Sequence, residues 1–130
     1  MNVGDLINKE PISASNRASI REVAQIMKKE NISSVIITSD AKPIGIVTER
    51  DIVRAVADGL SYDSPIETIM TKGLIMVTPD KDVTEALLIM YQNNIRHLVV
   101  INEKGNLLGV VSIRDVARAL NLMAIDLSFW

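Results

Sequence analysis

Two short stretches place a hydroxyl, an arginine and a carboxylate at the same spacing: Thr48-Glu-Arg-Asp51 and Ser112-Ile-Arg-Asp115. A carboxylate at the head of a helix has two uses. It caps the helix and complements its positive end with no ligand at all. It also offers an acceptor to the hydroxyls of a sugar. Position alone favours the cap. The hydroxyls of Thr48 and Ser112 ordinarily serve nearby backbone. Arg50 and Arg114 are ordinarily solvated charges, although an arginine lining a cleft holds phosphate through charge-assisted, bidentate hydrogen bonds. Arg54 and Arg118, further along, fit a surface or an interface. A second basic feature is Arg96-His97, just ahead of an apolar run. A lone histidine is more often packed or solvated than a ligand group.

Composition narrows the chemistry. The 130 residues include no cysteine and one histidine, which excludes disulfides, thiolate chemistry and a histidine-cluster metal centre. No nucleophile–base–orienter set is visible, so catalysis is not expected. The formal net charge is -2, and no helix carries a clean basic stripe, which argues against nucleic acid. No apolar run is long enough to cross a bilayer, and the N-terminus lacks a signal-peptide pattern. The expectation is a soluble, cytoplasmic protein with no membrane insertion. Hydrophobic residues make up 48% of the chain, enough for a real core.

The elements that must position these residues occur twice. Residues 3–39 align with 66–102 at an offset of 63, and 44–57 align with 108–121 at an offset of 64. Thirteen of the 51 aligned positions are identical, and the apolar positions track each other even where identity fails. Ile20, Val23, Ala24 and Met27 have helical spacing, repeated by Val83, Ala86, Leu87 and Met90. Ser19 with Glu22, and Asp82 with Glu85, have the spacing of reciprocal helix starts. Short β-branched runs at 35–38 and 98–101 predict buried strands. Turn formers follow at 39–43 and 102–106, then strands at 44–48 and 107–112. Second helices are predicted at 52–57 and 116–122, and short first strands at 12–14 and 75–78. Each unit therefore has the order strand, helix, strand, strand, helix. Asp58-Gly59 and Ser64-Pro65 mark a boundary, which gives units at 1–60 and 61–130. A unit of this size buries little surface alone, so the two are expected to pack sheet against sheet.

The chain resembles a tandem pair of cystathionine-β-synthase-type domains, or CBS domains, also called a Bateman module. The residues that carry the resemblance are Ile66-Glu-Thr-Ile-Met-Thr71, Ile75-Met-Val-Thr-Pro79, Ile95-Arg-His-Leu-Val-Val-Ile-Asn-Glu-Lys-Gly105, Gly45 with Thr48-x-x-Asp51, and Gly109 with Ser112-x-x-Asp115. The resemblance implies an α/β (α+β) fold of two β-α-β-β-α repeats packed with pseudo-two-fold symmetry. It implies adenine nucleotides (AMP, ADP or ATP) as ligands in clefts between the repeats. It also implies dimerisation and regulation of a separate, unknown partner protein, with no catalysis of its own.

The same resemblance assigns roles. Asp51 and Asp115 contact ribose, and Thr48 and Ser112 contact phosphate beside helix amides, a natural anion site. One cleft is expected to combine Thr48, Arg50 and Asp51 with Ile75, Val77, Arg96 and His97. The other combines Ser112, Arg114 and Asp115 with Ile12, Ser13, Ala14, Ser33 and Ser34. Ile12, Ala14, Ile75 and Val77 would flank adenine, although apolar residues of this kind are ordinarily core. Gly45 and Gly109 permit a tight strand entry or the close approach of a ligand. Ser33-Ser34 stand where the second repeat has Arg96-His97, so the two clefts are expected to be unequal, the basic one favouring more phosphate charge. Apart from the resemblance, the apolar residues 120–130 either pack back on their own domain or make a subunit contact or a docking site. The alternative reading is an interaction or oligomerisation module whose clefts bind no nucleotide.

Overall fold

The computed structural model describes the backbone of residues 1–128 and side chains through Asn121. The apolar tail expected to make a subunit contact lies largely outside the described residues. The chain forms two compact units, Ile12–Leu74 and Met1–Pro11 with Ile75 onward.

In the unit formed by Ile12–Leu74, β1 (Ser13–Ser15), α1 (Ile20–Glu30) and β2 (Ser34–Ser39) make a parallel crossover. β3 (Lys42–Thr48) returns antiparallel to β2, giving the sheet order β1-β2-β3, and α2 (Glu49–Ala57) follows. The helix α1 starts because Ser19 accepts the Glu22 amide. It stops at Asn31, which adopts the left-handed conformation at φ 53°. Ile20, Val23 and Met27 are its buried face. They pack with Val35, Ile37, Val47, Ala55 and Ile66 in one core. Pro43, Gly45 and Val47 alternate inward along β3.

The other unit repeats this plan with β4 (Met76–Val77), α3 (Val83–Gln92), β5 (His97–Ile101), β6 (Leu107–Ser112) and α4 (Ile113–Ser128). Its sheet order is β4-β5-β6, with a parallel and then an antiparallel pairing. Asn94 takes the left-handed conformation at φ 53°, as Asn31 does. That torsion accounts for the asparagine shared by both repeats, since asparagine is one of the few non-glycine residues that visits it at low cost. The ladder shifts register at Ile37/Thr38 and again at Val100/Ile101. The core holds Val77, Val83, Ala86, Met90, Leu98, Val100, Val111 and Val116, together with Val3 from the N-terminal arm.

The arms are what the periodicity did not locate. The 3-10 turn Val3–Leu6 lies with the unit that begins at Ile75, where Val3 N donates to Lys81 O at 2.8 Å and Gly4 N to Pro79 O at 2.9 Å. Its counterpart Ile66–Thr68 lies with the first unit, where Ile66 N donates to Ala18 O at 2.7 Å. Ile46 and Thr71 then exchange a backbone pair at 2.9 and 3.0 Å. Each sequence repeat thus opens with an arm that completes the unit containing the other repeat's sheet.

Candidate functional site

The two hydroxyl-x-x-carboxylate stretches prove to be the opening turns of α2 and α4. Both helices begin earlier than the expected residues 52 and 116. Thr48, with extended backbone, is the N-cap of α2, and Asp51 is its third residue. Asp51 N donates to Thr48 Oγ1 at 3.4 Å, and Asp51 Oδ2 accepts from Thr48 N at 2.9 Å and Thr48 Oγ1 at 3.2 Å. The second copy matches: Asp115 N donates to Ser112 Oγ at 3.0 Å, and Asp115 Oδ2 accepts from Ser112 N at 3.0 Å. These are reciprocal capping boxes with Asp in the role usually taken by Glu. The expectation of an Asp cap is corrected in detail, because the hydroxyl residue caps and the Asp closes the box.

The expected boxes at the other helices form only in part. Ser19 accepts from the Glu22 amide at 3.1 Å, but its hydroxyl also donates to the Glu22 carboxylate at 3.2 Å. Asp82 accepts from the Thr84 amide at 2.8 Å, while Glu85 turns to Lys81 at 3.5 Å. The Thr84 and Asp82 side chains also bond each other, and these contacts hold the Asp82 carboxyl below its usual range.

The boxes leave functional groups over. Each Asp commits Oδ2 to its own helix start, and Oδ1 has no hydrogen bond among the described residues. The first helical amides are taken by carbonyls of the preceding strand entry, Glu49 N by Ser33 O at 3.0 Å and Ile113 N by Arg96 O at 2.8 Å. The third amides are taken by the cap hydroxyls. No loop or side-chain acceptor among the described residues takes the second, those of Arg50 and Arg114. One free amide, one free carboxylate oxygen and an exposed guanidinium therefore sit at each helix start. That set can receive a phosphate and donor hydroxyls together.

Each unit gathers part of the predicted site. Ser34 pairs with Thr48 across the β2–β3 ladder, and His97 with Ser112 across β5–β6. Ser13 and Ala14 lie in β1 beside Ile36 and Ile37, with Ser13 exposed and Ala14 buried. Val77 is buried in β4, and the half-buried Ile12 and Ile75 just precede their strands. Arg96 is exposed and His97 half-buried. Burial pushes the His97 pKa below its ordinary value, Asp115 acting against that shift and Arg96 with it. The crossed combinations expected above join residues of different units.

Gly45 and Gly109 have a structural reason. A Cβ on Gly45 would sit 2.6 Å from Met70 Sδ, and one on Gly109 would sit 2.9 Å from Ile7 Cγ2. Ile7 and Met70 are 63 residues apart and occupy the same place in the two arms. The glycines make room for the arms.

Among the described residues, no group of three or more His, Cys, Asp or Glu could hold a metal ion, and no helix is long and apolar enough to cross a membrane.

Residues 3–58 and 66–122 each match the family described as CBS domain. An uncharacterised 17.7 kDa protein of Acidianus ambivalens is 52% identical over 103 residues, covering 78% of this chain and 62% of its own length. The protein MK0525 of Methanopyrus kandleri is 34% identical over 119 residues, covering 89% of this chain and 61% of its own. This chain thus spans about three fifths of the length of those two relatives. Among solved structures, the CBS domain protein PAE2072 of Pyrobaculum aerophilum, complexed with AMP, superposes with a TM-score of 0.81. It is 38% identical, and the match covers 88% of this chain and 89% of that one. The CBS domain pair of protein MJ0100, in complex with 5-methylthioadenosine and S-adenosyl-L-methionine, gives 0.82 at 32% identity, covering 93% and 96%. With the family matched over both repeats, the chain belongs to the CBS domain family and carries the domain twice.

Proposed function

We propose that the chain is a ligand-binding regulatory module for adenosyl compounds, AMP, ADP or ATP foremost, acting on a separate partner. The observation that carries this reading is the duplicated helix start, with its free carboxylate oxygen, free amide and arginine. Two similar structures, one in complex with AMP and one with adenosyl thioether and sulfonium ligands, support the ligand class. Two residue sets are proposed to hold ligand. The first is Thr48, Arg50 and Asp51 with Ile75, Val77, Arg96 and His97. The second is Ser112, Arg114 and Asp115 with Ile12, Ser13, Ala14, Ser33 and Ser34. In each, the carboxylate takes ribose hydroxyls, the helix start and arginine take phosphate, and the apolar residues flank the base. Ligand would stabilise one arrangement of the molecule, and a partner or second copy that prefers it would be regulated.

Isothermal titration with AMP, ADP, ATP, 5-methylthioadenosine and S-adenosylmethionine tests this. The expected result is saturable binding of at least one, accompanied by a rise in melting temperature. Silence in both measurements, with folded protein, would favour the module that binds no nucleotide.

A further inference from the structure

The two proposed residue sets meet inside one unit. His97, of the first set, pairs directly with Ser112, of the second, and Ser112 is locked to Asp115 by two hydrogen bonds of 3.0 Å. His97 therefore lies in the field of the carboxylate whose Oδ1 is free to hold a ligand hydroxyl. The corresponding junction in the other unit is Ser34 opposite Thr48, where the position facing the cap cannot titrate. We propose that His97 and Asp115 couple the two ligand sites, so that a phosphate held beside His97 weakens ligand binding at Asp115, and the reverse. This rests on the residue sets proposed above.

The physical chain is short. A phosphate near Arg96 and His97 favours the charged imidazole and draws a proton onto it. The imidazolium then compensates the Asp115 carboxylate, which becomes a weaker acceptor for ribose hydroxyls. Linkage makes the effect reciprocal. Among the described residues, Asp115 from α4 and Arg96 from the strand entry are the charges acting on His97. Strands β4 and β6 bring no titratable side chain. Helix α3 brings Glu85, which pairs with Lys81, and the exposed Tyr91. Arg114 and Arg118 of α4, and Asp5, Lys9 and Glu10 of the arm, are exposed.

The chain has a single histidine, so its imidazole NMR signals report on His97 alone. Replacing Asp115 with Asn keeps an acceptor for Ser112 N and removes the charge. The expected result is that D115N lowers the His97 titration midpoint by roughly half a unit or more. An unmoved midpoint would overturn the coupling. The second arm is calorimetric titration with AMP at about pH 6 and about pH 8. The ratio of the two site affinities should widen by about threefold or more at the lower pH in the wild type, and not in H97S. A ratio independent of pH, or one equally dependent in H97S, would overturn the link to ligand. Absence of AMP binding at either pH would overturn the ligand link and count against AMP as the ligand, while the midpoint in D115N would still decide whether His97 and Asp115 interact.

Discussion

Asp51 and Asp115 each have two oxygens and so room for two uses of one carboxylate, the capping seen here and the ligand contact proposed above. Oδ2 closes a capping box, and Oδ1 has no hydrogen bond among the described residues. The structural and functional uses weighed in the sequence are therefore compatible at the level of single oxygen atoms. Sequence alone located these residues but misassigned the cap, because an Asp at a helix start reads equally well as N-cap or as third residue. Gly45 and Gly109 were visible as a repeated pair, but their reason was not, since it lies in arms remote in the chain. That reason has a testable consequence. A methyl on Gly109 would meet Ile7 Cγ2, Cδ1 and Cγ1 at 2.9, 3.1 and 3.2 Å. A β-branched side chain has few rotamers into which it can retreat. G109A should destabilise by about 1–3 kcal/mol in urea unfolding. Combined with I7A, the two losses should sum to more than the double variant shows, by about 0.5 kcal/mol or more. Strict additivity would mean that Ile7 is not the obstacle.

At the level of elements, helices and strands were legible because each has a local signal. Apolar residues at helical spacing gave α1 and α3, and β-branched runs gave β2 and β5. The second helices were predicted too short because their first turns hold Glu49 and Arg50, or Ile113 and Arg114, which fit no apolar stripe. The arms had no local signal of their partner. Val3 nevertheless is fully buried and belongs to a core otherwise built from residues after Ile75. Truncating it with V3A should cost about 1.5–3 kcal/mol, the loss of two buried methyl groups plus the cavity they leave. V53A, at a site 65% exposed, should stay within about 0.5 kcal/mol of the wild type. Equal losses for the two variants, measured by urea unfolding, would contradict the packing of the arm.

For the whole molecule, the repeat was the decisive feature. It predicted two copies of one topology, and the structure has them, down to asparagines with matching left-handed torsions and matching register shifts. It also exposed the substitution of Ser33-Ser34 for Arg96-His97, which makes the two copies chemically unequal. What the repeat could not give was which arm completes which unit, because an alignment of like with like is blind to exchange between the copies.

In the proposed function, the carboxylates of Asp51 and Asp115 hold ligand as well as their helices. Changing both to Asn retains an acceptor for Thr48 N and Ser112 N while removing both charges, so helix starts and binding can be separated. Isothermal titration of this double variant with AMP, beside the wild type, is the most direct test. A melting temperature near that of the wild type, with affinity weakened about tenfold or more, is the predicted result, as expected for loss of a hydrogen bond to a charged acceptor. A wild type that binds AMP, and a folded double variant that binds it equally well, would show that these carboxylates do not hold the ligand.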